Sequence, residues 1–314
     1  MFALKARFSN FGDIPVDLSF KLYDALIRPI TTYGSEIWIA DFNVNLSNFD
    51  TIPAEKLQHK FCKLVLGINK RASNLASRCE TGRNPILLFV LSLMFNFYER
   101  CKQSAPDRLL HSAFCVDQGL YSDGSKSWYN TLSKIFKKMD LTENETKSLN
   151  SDIFNRRLLK YFTNQTKDKL DSNKINDDTK LKVFSNVLQF GNIPQYLKLN
   201  VPKEVKSNIT KLRTSTHKLH IETGRYTRPK TPRNERTCNF CSQIETESHF
   251  LLFCVKYKSQ RLKLAKAFNI NDEEICLEDH ENLLRIILNP KNKSQATELY
   301  KYIRTSLDMR EIIT

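Results

Sequence analysis

The chain has 314 residues, with 49 Lys and Arg against 34 Asp and Glu, a formal net charge of +15. Apolar residues make up 40% and aromatics 11%, which excludes wholesale disorder, and only 8 Gly argue against folds built on Gly turns or Gly-rich phosphate loops. Such a length allows roughly two domains, and the basic balance favours an anionic partner, with nucleic acid first.

Met1-Phe2-Ala3-Leu4-Lys5 lacks the apolar stretch and cleavage site of a secretory signal. An intracellular, reducing compartment is therefore expected, with the eight Cys as thiols or metal ligands. Leu18, Phe20, Leu22, Tyr23, Leu26, Ile27 and Ile30 follow Asp17 at helical spacing, with Pro29 as a kink and Tyr33-Gly34 as an end or bend. Pro53 suits a helix first turn, Leu57, Phe61, Leu64 and Val65 follow, and Gly67 is the stop. Gly82 and Pro85 set off the longest apolar run, Ile86 to Tyr98. A bilayer span needs about 20 such residues, so this run reads as a buried core helix and no membrane partner is expected.

Gln118 to Lys126 is polar and holds Gly119 and Asp123-Gly124, the pattern of a surface connection and domain boundary. Helical stripes resume at Trp128, Leu132, Ile135, Phe136 and Met139, and again at Ile153, Leu158, Leu159, Tyr161 and Phe162. Asp171 to Lys180 reads as a polar break, with Asp177-Asp178 at a helix start. Leu181 to Phe190 resumes a helix that Gly191 stops, and Val201 to Thr214 opens another with Pro202. Arg228-Pro-Lys-Thr-Pro-Arg233 excludes regular helix, because each Pro removes a donor and disfavours α before it. Two last helices are predicted over 274–288 and 294–312. The fold expected is mainly α: a helical domain over 1–117, a connection at 118–126, a helical region with a basic end over 127–226, a small metal module at 227–260, and helices over 261–314.

The strongest local signal is Cys238-Asn-Phe-Cys241, then His249 and Cys254. Two thiolates at C-x2-C spacing grip one metal from a tight turn, and a later His and Cys complete the Cys3His set of structural Zn2+. On an unbroken helix His249 and Cys254 would lie about 140° apart, so the helix must start late, end early or loosen between them. Four protein ligands leave no open coordination position, which makes the site structural rather than catalytic. Cys62, Cys79, Cys101, Cys115 and Cys276 are expected to stand apart, and His217 and His220 to be structural. Residues 201–237 hold ten Lys and Arg against three Glu. Within them Arg213, Lys218, Arg225, Tyr226, Arg228, Lys230, Arg233 and Arg236 are the candidate nucleic-acid contacts, with Arg planes and a Tyr for stacking. No catalytic constellation is evident, so no enzyme activity and no small-molecule substrate are expected.

Several blocks carry a resemblance. Lys21-Leu-Tyr-Asp-Ala-Leu-Ile-Arg-Pro-Ile30 with Tyr33-Gly-Ser-Glu-Ile-Trp38 looks like the segment that follows the polymerase palm in non-LTR retrotransposon reverse transcriptases. Leu57 to Gly67 and Glu80-Thr-Gly-Arg-Asn-Pro85 are similar to the blocks after it. Arg213 to Tyr226, Arg236-Thr-Cys-Asn-Phe-Cys241 and His249-Phe-Leu-Leu-Phe-Cys254 resemble the carboxy-terminal Cys-Cys-His-Cys region. The blocks run in the family's order over almost the whole chain. They imply a thumb-like helical domain and a template-binding end, with RNA or DNA and a full-length element polymerase as partners. The family's catalytic Phe/Tyr-Ala-Asp-Asp turn does not occur here, so the expectation is a nucleic-acid-binding fragment without the palm. The alternative is a zinc-stabilised helical module that binds protein and no nucleic acid.

Overall fold

Pro and Gly punctuate the chain where the periodicity places helix ends, and the computed structural model follows them. It describes residues 14–42, 44, 46–176, 179–270 and 279–311, and among these the protein is mainly helical with no strand beyond an isolated bridge. Helix α1, Val16–Leu22, runs into a widened turn, Tyr23–Ile27, in which the Arg28 N–H reaches back to the Tyr23 carbonyl. Pro29 explains the widening, since it has no N–H to continue the regular ladder. Gly34, at φ 64°, then reverses the chain into the short helix Ser35–Trp38.

Helix α2, Pro53–Leu66, ends at Gly67, whose φ of 66° is left-handed. A Cβ at Gly67 would sit 2.9 Å from Ser207 Oγ, and that hydroxyl donates to the Gly67 carbonyl at 2.7 Å. Both the conformation and the close approach require Gly. Helix α3, Asn74–Glu80, is capped by Ser73, whose hydroxyl accepts from the Ala76 N–H. The apolar run forms α4, Ile86–Gln103, a core helix as expected.

Two expectations are corrected. The connection at 118–126 is shorter, because α5, Leu109–Ser122, carries straight through Gly119. An exposed Gly costs a helix only about 1 kcal/mol, and Asp117 of α5 holds the next helix, accepting from the Trp128 and Tyr129 N–H groups at 2.8 Å each. That next helix is α6, Trp128–Lys138. The break at 171–180 is also shorter, since α7, Ser151–Ile175, continues to bury Leu170 beside Ala76, Cys79, Leu181 and Phe184. Asp177-Asp178 lies outside the described residues. Downstream come Lys182–Val187, then α8, Lys203–Arg213, α9, Lys258–Phe268, α10, His280–Ile287, and α11, Lys293–Glu311. The start expected at 274 falls among residues outside the description.

The chain divides into two units rather than along the expected segments. One, here the α4 unit, comprises Leu22–His59 and Asn84–Asp168; the other, the metal-site unit, comprises Met1–Lys21, Lys60–Arg83 and Lys169–Thr314. In the α4 unit Leu87, Val90, Leu91, Met94 and Phe95 are wholly buried, and Phe95 stacks on Phe154 with ring centroids 4.2 Å apart. Glu55, also fully buried, accepts from the Ile86 and Leu87 N–H groups and so caps α4. In the metal-site unit α9 and α11 pack on each other, as do α8 and α11.

Candidate metal centre and basic loop

A tight reversal presents the first two Cys. The Cys238 N–H donates to the Gln243 carbonyl at 2.7 Å, the Glu245 N–H to the Arg236 carbonyl at 2.8 Å, and Thr237 and Ile244 form an antiparallel bridge. Ser242 completes the turn at φ 56°, a left-handed conformation that suits Gly better than Ser. Ser242→Gly is therefore expected to be neutral or slightly stabilising, and Ser242→Val to cost about 1–2 kcal/mol, read as a shift in the urea midpoint.

His249 and Cys254 are brought to one face by a loosened helical turn. His249–Phe253 is a π-type turn closed by the Cys254 N–H donating to the His249 carbonyl at 2.9 Å. Of the three ways past the 140° separation that the spacing left open, this is the loosened helix. The Sγ atoms of Cys238, Cys241 and Cys254 and a ring nitrogen of His249 all lie within 4.8 Å of one another. Cys238 and Cys254 sulfurs stand 3.8 Å apart, and Cys241 Sγ is 3.2 Å from His249 Nε2. These four residues could hold one metal ion.

The electrostatics suit a cation. Burial pushes the Cys238 thiol up to about 12 and raises Cys254 as well, although the Phe240 and Lys256 backbone N–H groups donate to their sulfurs. Burial, reinforced by the Arg261 charge, lowers the His249 pKa and keeps its ring neutral, as ligation requires. Thiolates so buried need a positive charge beside them. The remaining Cys stand apart: Cys62, Cys79 and Cys101 are buried, Cys115 is exposed, and Cys276 lies outside the described residues.

Around this centre the sequence gives little hint of the support. Phe250, Leu251, Leu252 and Tyr257 are buried, and the Phe250 and Tyr257 rings meet Tyr302 of α11, whose hydroxyl donates to the Phe250 carbonyl. Glu245 is buried, accepts from the His220 N–H at 2.5 Å and pairs with Arg310 at 2.8 Å. Glu247 accepts from Ser215 at 2.8 Å and meets His217 Nε2 at 2.9 Å. Burial opposes ionisation of Glu247, yet the His217 and Ser215 hydrogen bonds prevail and hold its pKa below the usual value. His217 and His220 are thus structural, as read. Glu245, Glu247, Tyr302 and Arg310 were missed because nothing in their local spacing marks them.

The candidate nucleic-acid contacts separate into four kinds. Arg213 is corrected: it is wholly buried, donates to Glu80 at 2.6 and 3.0 Å, and also to the Leu288 carbonyl and Asn289 side chain. A side chain so enclosed touches no phosphate. Arg236 acts as a clamp, its Nε donating to the Thr231 carbonyl at 2.9 Å and Nη1 to the Ile221 carbonyl at 3.2 Å. Arg225 lies 3.3 Å from Glu222 and, with Arg233 and Lys180, lines a cleft of about 140 Å3.

Exposed positions remain at Lys218, Tyr226, Arg228 and Lys230. The last three sit on a loop closed by the Thr231 N–H donating to the Gly224 carbonyl at 3.1 Å. Tyr226 is 55% exposed, and its hydroxyl is fixed by Glu222 and Lys180 at 3.0 Å each. The Lys180 ammonium is 5.4 Å from the ring centroid, so it meets the ring at the hydroxyl edge. Comparison with protein-family models, curated proteins and solved structures returned no match. Among the described residues no helix is long and apolar enough to cross a membrane.

Proposed function

We propose that the chain is a nucleic-acid-binding module held in shape by a structural Zn2+, related to the carboxy-terminal part of non-LTR retrotransposon polyproteins and without polymerase chemistry of its own. The observation that carries this reading is the Arg236 clamp. Arg236 lies two residues before Cys238 and grips both the Thr231 and Ile221 carbonyls, so metal turn and basic loop are tied through one side chain. Zinc suits the ligands: a tetrahedral ion with Zn–S near 2.3 Å sets sulfurs about 3.8 Å apart, the spacing of Cys238 and Cys254. Lys218, Arg228 and Lys230 would meet phosphates of RNA or DNA, and Tyr226 would stack on a base. A full-length element polymerase is the natural partner under the family resemblance.

Binding of a labelled 20-nucleotide RNA and of duplex DNA, titrated across salt, tests the reading. Counterion release makes log affinity fall with log salt, and Arg228→Ala with Lys230→Ala should flatten that slope by about 1.5–2. Flat salt dependence in the wild type, or no binding at low salt, would sink it.

A second reading, a zinc-stabilised protein-interaction module, draws on α5, where Leu109, Val116 and Leu120 are exposed at 85, 65 and 42%. Apolar positions left open at helical spacing are what a partner helix covers. Salt separates the two readings, because a protein interface responds far less steeply.

A further inference from the structure

The α4 unit has a concavity that none of the sequence blocks marks. Helix α6 buries Leu132, Ile135 and Phe136 and turns Lys134, Lys137 and Lys138 outward. Alone, that pattern describes only a solvated face. The surroundings of these lysines say more. Two grooves of about 670 and 360 Å3 adjoin along α6, sharing Val44 and Lys134 in their walls. The first is lined by all three lysines and Asp140, the second by Lys134, Lys126 and Asp41.

We infer that this double groove is a phosphate-binding site, walled by Lys126, Lys134, Lys137 and Lys138, which takes the sugar–phosphate backbone of a nucleic acid. The inference rests on the nucleic-acid reading above but places a second contact on a separate set of residues.

Charge and shape both carry it. The side chains of Lys134, Lys137 and Lys138 make no ion pair or hydrogen bond with any described residue, although Asp140 lies in the same wall. Lys126 reaches Asp41 at 3.4 Å, with both side chains at least 75% exposed, a pairing that a phosphate exchanges at little cost. Four ammonium groups thus face two carboxylates. A concave wall over apolar packing concentrates that field more than a convex surface would.

The lining also states what is read. Among the described residues no aromatic ring lines either groove, and the apolar lining is aliphatic, from Ala40, Val44, Leu46 and Ile135. Base stacking therefore has no platform here. Asn130 and Thr131 supply hydrogen-bonding groups of the kind that meet phosphate and sugar oxygens. The groove holds the strand by its backbone, without regard to sequence, and adds avidity to the loop contact.

The test uses the full chain with the same RNA and duplex probes. Lys134→Gln, Lys137→Gln and Lys138→Gln together should lower affinity at least tenfold at low salt and flatten the salt slope by about 2–3. The matching triple Arg variant should restore both. A control of equal charge loss, Lys198→Gln with Lys291→Gln and Lys293→Gln, should leave the slope within about one unit. The groove is overturned if its triple Gln variant binds like wild type or like that control. It is also overturned if that variant keeps nucleic acid but loses a polyglutamate peptide, which would identify an acidic protein segment as occupant. Failure of the loop reading looks different: the Arg228 and Lys230 variant would then bind normally while the groove variant does not. A wild type that binds neither probe overturns both.

Discussion

Arg213→Met is expected to lower the unfolding free energy by about 3–5 kcal/mol. Arg213 and Glu80 are both fully buried, and their bidentate contact is 2.6 and 3.0 Å long. Glu80 also accepts from the Tyr196 hydroxyl at 2.5 Å, which in turn meets Thr210 Oγ1 at 2.6 Å. Met fills much of the Arg volume but leaves a carboxylate in the core with one neutral donor. The Leu288 carbonyl and Asn289 side chain lose their donor as well. Removing both charges with Glu80→Leu and Arg213→Met should cost less than the sum of the single changes, because no ion is then stranded. An exposed pair gives the contrast: Arg304 and Glu204, 3.2 Å apart and about 60% exposed, should lose far less on Arg304→Ala. Urea unfolding of these four variants reads the comparison. A cost below about 1 kcal/mol for Arg213→Met would mean that the network is hydrated and does not hold the unit.

This pair also marks where sequence reading stops. Arg213 stands in the most basic stretch, on a predicted helix, and nothing local says that its charge is buried while that of Arg228 is exposed. The difference is Glu80, 133 positions away, which only the fold brings near. Helices were legible where side-chain period and punctuation agree, as in α2 between Pro53 and Gly67 and α4 after Pro85. The candidate metal ligands were legible because such chemistry fixes their spacing, and the same spacing required the helix to start late, end early or loosen, of which the turn at His249 is the last. Unit boundaries were not. The divisions between His59 and Lys60 and between Asp168 and Lys169 fall inside α2 and α7, where no Pro or Gly signals a change and the polar run Asn164 to Lys169 continues as helix. The groove on α6 was equally hidden, since its second wall at Ala40 to Leu46 joins it only in space.

Stripping the metal is expected to reach further than the turn that holds it. The sequence suggests a segment with little core, 236–257, that would unfold alone. Instead Phe250 and Tyr257 pack on Tyr302, and Arg310 joins Glu245 to the Lys218 carbonyl. Loss of the ion should therefore loosen 236–257 and α11 together and leave α4 protected, which hydrogen exchange resolves segment by segment. With free zinc at a thousand times its dissociation constant, linkage puts the stabilisation at about 4 kcal/mol. Cys241→Ser should remove most of that. The pH dependence has a definite sign. Burial raises Cys238 to about 12 and Cys254 above its ordinary value, so near neutrality the metal-free thiols are protonated and the bound ones are not. Binding must then release at least two protons, from Cys238 and Cys254, and the apparent affinity should fall at least about a hundredfold for each pH unit of acidification. Calorimetry in two buffers of different ionisation enthalpy counts those protons. At least two, with one zinc per chain and loss on Cys241→Ser, is the expected result. A wild type that takes up no zinc, or a release of fewer than about two protons, would show that these sulfurs do not bind it as thiolates.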